Sequence, residues 1–146
     1  MTPLRDRAWR AALALPFVFL AATSPHAESR WRAATLLLRF SGSTSRAASL
    51  GAFSVAEEPV TASAARARLY TPVGAVDPPG LVMVHGIHRL GVDEPRLQRF
   101  ARALASAGVV VLTPHVESLA DYRVDPAAQE ALDETCAWLA ARTGRA

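Results

Sequence analysis

The sequence contains one cysteine and no lysine among its 146 residues. A single cysteine cannot form an intrachain disulfide, so the thiol content does not identify the compartment in which the protein works. Cys136 falls in a helical pattern without a neighbouring base to activate it, and we interpret it as a small packed side chain. The composition therefore excludes a domain held together by disulfides.

The body of the chain also lacks a clustered basic region. Five of the sixteen arginines lie within the first 32 residues beside two acidic residues, whereas the remainder carries eleven basic and eleven acidic residues. The net charge of +3 and the isoelectric point near 10.0 therefore originate at the N-terminus. Because nucleic-acid binding needs a clustered basic face, we predict no nucleic-acid partner.

A glycine-rich phosphate loop is missing as well. The segment from Gly86 to Gly91 contains neither a G-x-G-x-x-G pattern nor the lysine of a Walker motif. Nucleotide binding is therefore not the first interpretation, and we predict no cofactor.

The N-terminal region has the pattern of a targeting segment. Arg5, Arg7 and Arg10 precede an apolar run over residues 11–22, as in a secretory signal. The run is shorter than the roughly 20 residues of a spanning helix, which favours export. Pro25 disturbs the cleavage site, so an uncleaved anchor and an ordinary packed hydrophobic helix both stay open. We predict that residues 1–27 form a signal peptide or membrane anchor and that the protein is exported (periplasmic or secreted) or membrane-anchored.

Residues 28–46 are predicted to be an amphipathic segment followed by a linker. Residues 31–40 combine arginines with tryptophan, leucine and phenylalanine, and such a helix lies either on a membrane surface or on the fold. Residues 41–45 form a small polar break. Membrane association through this N-terminal part is a further expectation, and the globular domain is predicted over residues 47–146.

The domain begins with a predicted antiparallel pair of strands and a buried strand. The pair lies at residues 60–62 and 67–70, and in the second segment arginine alternates with apolar residues, as in a strand with one solvent-exposed face. Residues 81–84 form a short apolar run between Gly80 and Gly86. This run predicts a strand buried on both faces, as parallel strands are.

The remaining elements complete a βαβα pattern. Pro95 and Pro126 each follow an acidic residue, which marks a helix start, and Gly108 and Gly144 mark the two helix ends. Residues 109–112 form a second buried strand between these helices. The predicted fold is therefore α/β, with an antiparallel edge pair and a parallel βαβα unit covered by helices, preceded by an N-terminal hydrophobic helix.

The order of these elements resembles the N-terminal half of the α/β-hydrolase fold over residues 60–146. The most specific part is His85-Gly86-Ile87-His88 followed by residues 91–95. The likeness is closest to the dienelactone-hydrolase-like and esterase branches. In that family the loop after this strand gives one backbone N–H of the oxyanion hole. The resemblance thus implies that Ile87 is the donor, with Gly86 and His88 on either side of it.

The sequence departs from the family in one large respect. It contains no G-x-S-x-G nucleophile elbow, and the acid and histidine that follow the elbow are missing with it. We therefore expect an N-terminal fragment of a serine-type hydrolase for ester, lactone or related acyl bonds. Its substrate would be a small acyl compound, and this chain alone is expected to be inactive.

The alternative is a non-catalytic product, either truncated or a membrane-associated interaction protein. In both cases a sheet that stops at this point leaves an apolar strand edge open, and we expect the chain alone to aggregate or to be poorly soluble.

Two other functional sites can be compared with purely structural roles for the same residues. A metal site would draw on histidines and carboxylates, but their spacing is loose and the histidines are better interpreted as packing and lining residues. A local Ser118-His115-Asp121 triad has no spacing that orients a base toward a nucleophile. We predict no metal. The metal candidates are His85, His88, His115, Asp93 and Glu117.

Overall fold

The computed structural model describes residues 27–42 and 49–144. The predicted N-terminal hydrophobic helix, at residues 11–22, lies outside the described residues. None of the helices at residues 27–42 and 49–144 combines the length and the hydrophobicity of a membrane-spanning helix.

The described chain folds into one mixed sheet with helices on its faces. Its strands are β1 (Val55–Ala62), β2 (Ala65–Pro72), β3 (Gly80–Val82) and β4 (Val110–Pro114), and the α-helices include α1 (Ala27–Phe40), α2 (Pro95–Ser106), α3 (Glu117–Ala120) and α4 (Pro126–Thr143). The strand order is β1-β2-β4-β3, in which β4 pairs antiparallel with β2 and parallel with β3. This arrangement confirms the predicted antiparallel pair beside a parallel βαβ unit.

Each face of the sheet carries a separate apolar core. The alternation of side chains along a strand sends successive residues of β4 to opposite faces. Val111 packs with Tyr70 and the alanines of α2, whereas Leu112 packs with Leu69 and with Leu139 of α4. The sheet is therefore covered by α2 on one face and by α4 on the other.

Helices α2 and α4 begin at the predicted positions because each has a carboxylate cap followed by proline. The Glu94 carboxylate accepts the N–H of Leu97 at 2.6 Å, and the Asp125 carboxylate accepts the N–H of Ala128 at 3.1 Å. A proline at the first helical position loses no hydrogen bond, since that N–H has no partner within a helix.

Helix α1 lies on the fold through its C-terminal half. The Arg39 guanidinium donates to the Ser106 carbonyl at 3.1 Å, at the end of α2 where helix carbonyls lack partners. The Phe40 ring meets the Phe100 ring edge-on at 5.2 Å between centroids. The C-terminal half of the predicted amphipathic segment therefore contacts the fold.

Two sequence predictions are wrong in detail. The strand predicted at residues 81–84 is observed as β3 at Gly80–Val82, and it is not buried on both faces, since among the described residues only β4 pairs with it and Leu81 is 40% exposed. Cys136 is exposed rather than packed, because α4 turns Thr135 and Leu139 to the sheet and leaves the thiol beside the edge of β3. Both errors arise because burial depends on contacts with distant parts of the chain, which the local sequence pattern does not specify.

We expect Leu112→Ala to lower the free energy of unfolding by about 2–5 kcal/mol, since it opens a cavity in the centre of a packed core. Urea denaturation of the full chain, followed by circular dichroism, measures the change. Val124→Ala is the matched control, because Val124 is 77% exposed and its truncation opens no cavity. An equal effect of the two substitutions would contradict this account of the core.

Candidate functional site

The candidate site lies at the loop that follows β3. The carboxyl ends of β3 and β4 point to the same edge of the sheet because the two strands are parallel. In open α/β sheets this edge is where ligands bind. The loop formed by residues 85–90 leaves β3 here, and His115 follows β4 at the same edge.

His85 is buried and ties the start of this loop to the segment after β4. Its Nε2 atom accepts the backbone N–H of Val116 at 3.0 Å. Since Nε2 is the acceptor, the ring proton resides on Nδ1, which donates to the Gly86 carbonyl at 2.8 Å. Both ring nitrogens are therefore engaged with backbone groups, and His85 acts as a structural link between two loops.

This link sets the direction of the Ile87 N–H. The Gly86–Ile87 peptide is trans, so its carbonyl and N–H point in opposite directions. Because the Gly86 carbonyl is held by the His85 ring, the Ile87 N–H points away from that ring. No group among the described residues accepts it, and the Ile87 side chain is 52% exposed. The geometry leaves an open backbone donor at the carboxyl edge of the parallel strands.

The C-terminal end of the loop is held by hydrogen bonds between neighbouring residues. The His88 side chain accepts the Leu90 N–H at 3.2 Å, and the His88 carbonyl accepts the Gly91 N–H at 2.9 Å. Gly91 has a φ of +51°, and its α-carbon lies against the His115 ring so closely that a β-carbon would collide with it. Glycine at position 91 is thus required by both backbone conformation and space.

Asp93 fixes the end of the loop to β2. Its carboxylate accepts from Arg68 at 2.9 Å and from Arg66 at 3.1 Å. The hydrogen bond from Arg68, followed by that from Arg66, lowers the pKa of the Asp93 carboxyl. These side chains are half-exposed, so the ion pairs contribute little to stability and mainly position the loop.

A wide groove lies beside this region, over the carboxyl end of β4. Its volume is about 720 Å³, and charged side chains of both signs line it. His115 borders the groove, and its Nε2 lies 3.6 Å from the Glu117 carboxylate. Burial, with a contribution from Arg66, lowers the pKa of His115. The groove joins the loop region through His115 and Arg66.

The structure does not assemble the alternative triad considered from the sequence. Asp121 pairs with Arg123 at 3.5 Å, and the carboxylate beside His115 Nε2, at 3.6 Å, is that of Glu117. Ser118 is buried at the start of α3. These pairings leave no base directed at the serine among the described side chains.

No metal centre forms within the described ranges. No cluster of three or more histidine, cysteine, aspartate or glutamate side chains there has ligand geometry. The His85 and His115 rings lie 5.5 Å apart, but both nitrogens of His85 are engaged with the backbone. This pair is therefore part of the loop support.

Comparisons with protein-family models, with curated proteins and with solved structures found no match to this chain. Its function is consequently inferred from its own geometry.

Sequence reasoning singled out the segment Gly86 to His88 but missed the bond from Val116 to His85 and the contact between Gly91 and His115. The two partners in each contact are far apart in the chain, and only the fold brings them together.

We expect Gly91→Ala to destabilise the protein by about 2 kcal/mol or more, because alanine is strained at this φ and its β-carbon meets His115. The matched control is Gly86→Ala, since a β-carbon at position 86 meets nothing within 4 Å and its φ is not in the left-handed region. Urea denaturation compares the two variants. Equal stability of both would show that the turn at Gly91 is not constrained as described.

The stability of the protein should depend on pH through His115. The folded state keeps this imidazole neutral to a lower pH than the unfolded chain, in which it titrates near 6.5. The stabilisation that comes from the neutral imidazole is fully present above pH 6.5, and it is lost as the pH falls toward the lowered pKa of the folded state. We expect the free energy of unfolding to decline as the pH falls from about 7 to about 5.

His115→Gln should make this decline shallower, and urea titrations at a series of pH values measure the slope. An unchanged slope in the variant would assign the dependence to other groups.

Proposed function

We propose that this chain supplies the oxyanion-hole loop of an α/β-hydrolase that acts on ester, lactone or related acyl bonds. The observation that carries the proposal is the Ile87 N–H, which is unpartnered among the described residues and lies at the carboxyl edge of the parallel strands. The mixed sheet, with its antiparallel pair and βαβ unit, agrees with the resemblance on which the expectation was based.

The proposed role of the loop is electrostatic. When a nucleophile attacks an acyl carbon, the carbonyl oxygen becomes an anion, and a fixed N–H directed at it stabilises the transition state. His85 fixes the donor before the reaction by holding the Gly86 carbonyl, so no reorientation of the peptide is needed. One such donor contributes on the order of 3 kcal/mol to the barrier reduction.

The nucleophile has to come from another segment, since the sequence has no G-x-S-x-G elbow. The proposed substrate is a small acyl compound, and the proposed mechanism requires no metal or cofactor. We also propose that the protein is exported or membrane-anchored through its N-terminal segment, a proposal supported by the arginines and apolar run of residues 1–27.

A second candidate is a non-catalytic interaction protein that uses the half-sheet as a binding surface. The open edge of β3 favours it, because exposed apolar edges pair with other chains. The coding sequence beyond Ala146 discriminates between the two candidates. An in-frame G-x-S-x-G within about 40 residues supports the hydrolase, whereas a stop codon supports the interaction protein.

The variants Ile87→Pro and Ile87→Ala test the role of the N–H in a polypeptide that includes such an elbow. Proline removes the donor, whereas alanine keeps it and removes only an exposed side chain. We expect Ile87→Pro to lower kcat for p-nitrophenyl acetate by about 10²–10³-fold and Ile87→Ala to have little effect. Saturable hydrolysis by the 146-residue chain itself, or equal activity of the two variants, would overturn the proposal.

A further inference from the structure

The segment of α1 from residue 33 to residue 38 has its polar side turned inward. Thr35 is the only polar residue of this segment, and it is the buried one, with 3% of its surface exposed. The exposed residues are apolar: Ala33, Ala34, Leu37 and Leu38. Leu37 is 67% exposed. A helix that lies between a protein and water has the opposite arrangement, with its apolar stripe toward the core. The outer face of α1 therefore fits an apolar neighbour.

The contacts of α1 with the fold keep this face outward. The Arg39 guanidinium, on the inner side of the helix, donates to the Leu50 carbonyl at 2.9 Å as well as to the Ser106 carbonyl. A rotation of α1 that buried Leu37 would break both hydrogen bonds. The exposure of Leu37 is thus fixed by the way in which the helix packs on the protein.

The exposed apolar surface continues beyond α1. A groove of about 540 Å³ lies between α1 and the segments that precede β3 and β4. Trp31, Leu50 and Val76 line this groove, and each is at least half exposed. Single exposed apolar residues are common, whereas a contiguous set of them marks a surface that binds a protein or a membrane.

The position of α1 in the chain favours a membrane. The apolar run of residues 11–22 ends four residues before Ala27, where α1 begins. Even when fully extended, this connection spans at most about 18 Å. With the run held at a bilayer, as proposed above, α1 starts close to the membrane surface. Trp31, exposed on the first half of α1, is of the residue type that is enriched at the boundary between lipid and water.

We propose that the outer face of α1 lies in the surface layer of an anionic phospholipid bilayer, with Leu37 and Leu38 toward the acyl chains. Anionic lipid is favoured because the net positive charge of the chain originates in its first 32 residues. The inference rests on the proposed location of residues 1–27 at a membrane. It does not depend on the proposed hydrolase activity.

This placement also orients the candidate site. The groove beside α1 is bordered by Pro79 and Gly108, which precede β3 and β4. The loop at residues 85–90 leaves the opposite, carboxyl end of these parallel strands. The candidate site therefore faces away from the bilayer and stays open to the solvent.

The test uses nitroxide labels on the full 146-residue chain, with and without vesicles of equal parts phosphatidylcholine and phosphatidylglycerol. Cys136→Ser removes the exposed native thiol, and Leu37→Cys or Val124→Cys provides a new one at an exposed position. Electron paramagnetic resonance measures collisions of the label with oxygen, which concentrates in lipid, and with a nickel chelate confined to water. On vesicles the label at position 37 should lose most nickel collisions and gain oxygen collisions. The label at position 124, beside the groove at the carboxyl end of β4, should keep its values.

A charge placed in the contact provides a second measurement. With the label moved to Ala33→Cys, on the same face of α1, addition of Leu37→Glu should restore the nickel collisions on vesicles, because a carboxylate resists transfer from water to lipid. Leu37→Met is the matched control, since it keeps an apolar side chain of similar volume. It should leave the label shielded.

Sedimentation with the vesicles separates this inference from the proposed anchoring. If the protein sediments but the label at position 37 stays accessible to nickel, the contact of α1 is wrong and the anchoring by residues 1–27 stands. Protein that remains in the supernatant would overturn both. A label at position 37 that is shielded before vesicles are added would show that another segment or a second copy covers α1, and it would equally contradict the proposal.

Discussion

The pairing of β4 on both of its sides is the interaction on which the rest of the structure depends. Its residues from Val110 to Pro114 are buried, because β2 lies antiparallel on one side, β3 lies parallel on the other, and helices cover both faces. This strand joins the two cores, and its carboxyl end delivers His115 and Val116 to the edge where the loop after β3 begins. Without it, neither core is continuous and the loop has no support.

In the loop after β3, the direction of one backbone N–H is set by hydrogen bonds of the neighbouring groups. His85 satisfies the Val116 N–H and the Gly86 carbonyl, which leaves the next N–H free. Asp93 holds the other end of the loop on β2 through two arginines. Burying a polar group costs free energy unless it is hydrogen-bonded. The engaged nitrogens of His85 therefore favour a single loop conformation.

The two outer strands of the described sheet differ in composition. β1 combines proline with paired glutamates, whereas β3 is short, uncharged and partly exposed. Proline and paired charges are features that protect an outer strand from pairing with other chains, and among the described residues β1 carries both.

Features that depend only on neighbouring residues could be predicted from the amino-acid sequence. Capping carboxylates, the prolines after them and the apolar periodicity located α2 and α4, and the short apolar runs located the strands, because these signals act within a few residues. It also singled out Gly86 to His88 through a resemblance. The tertiary structure decided which strand β3 borders, and hence the exposure of Leu81 and Cys136. It alone brought Val116 to His85 and Gly91 to His115. These outcomes depend on contacts between distant parts of the chain, and no local pattern of residues encodes them.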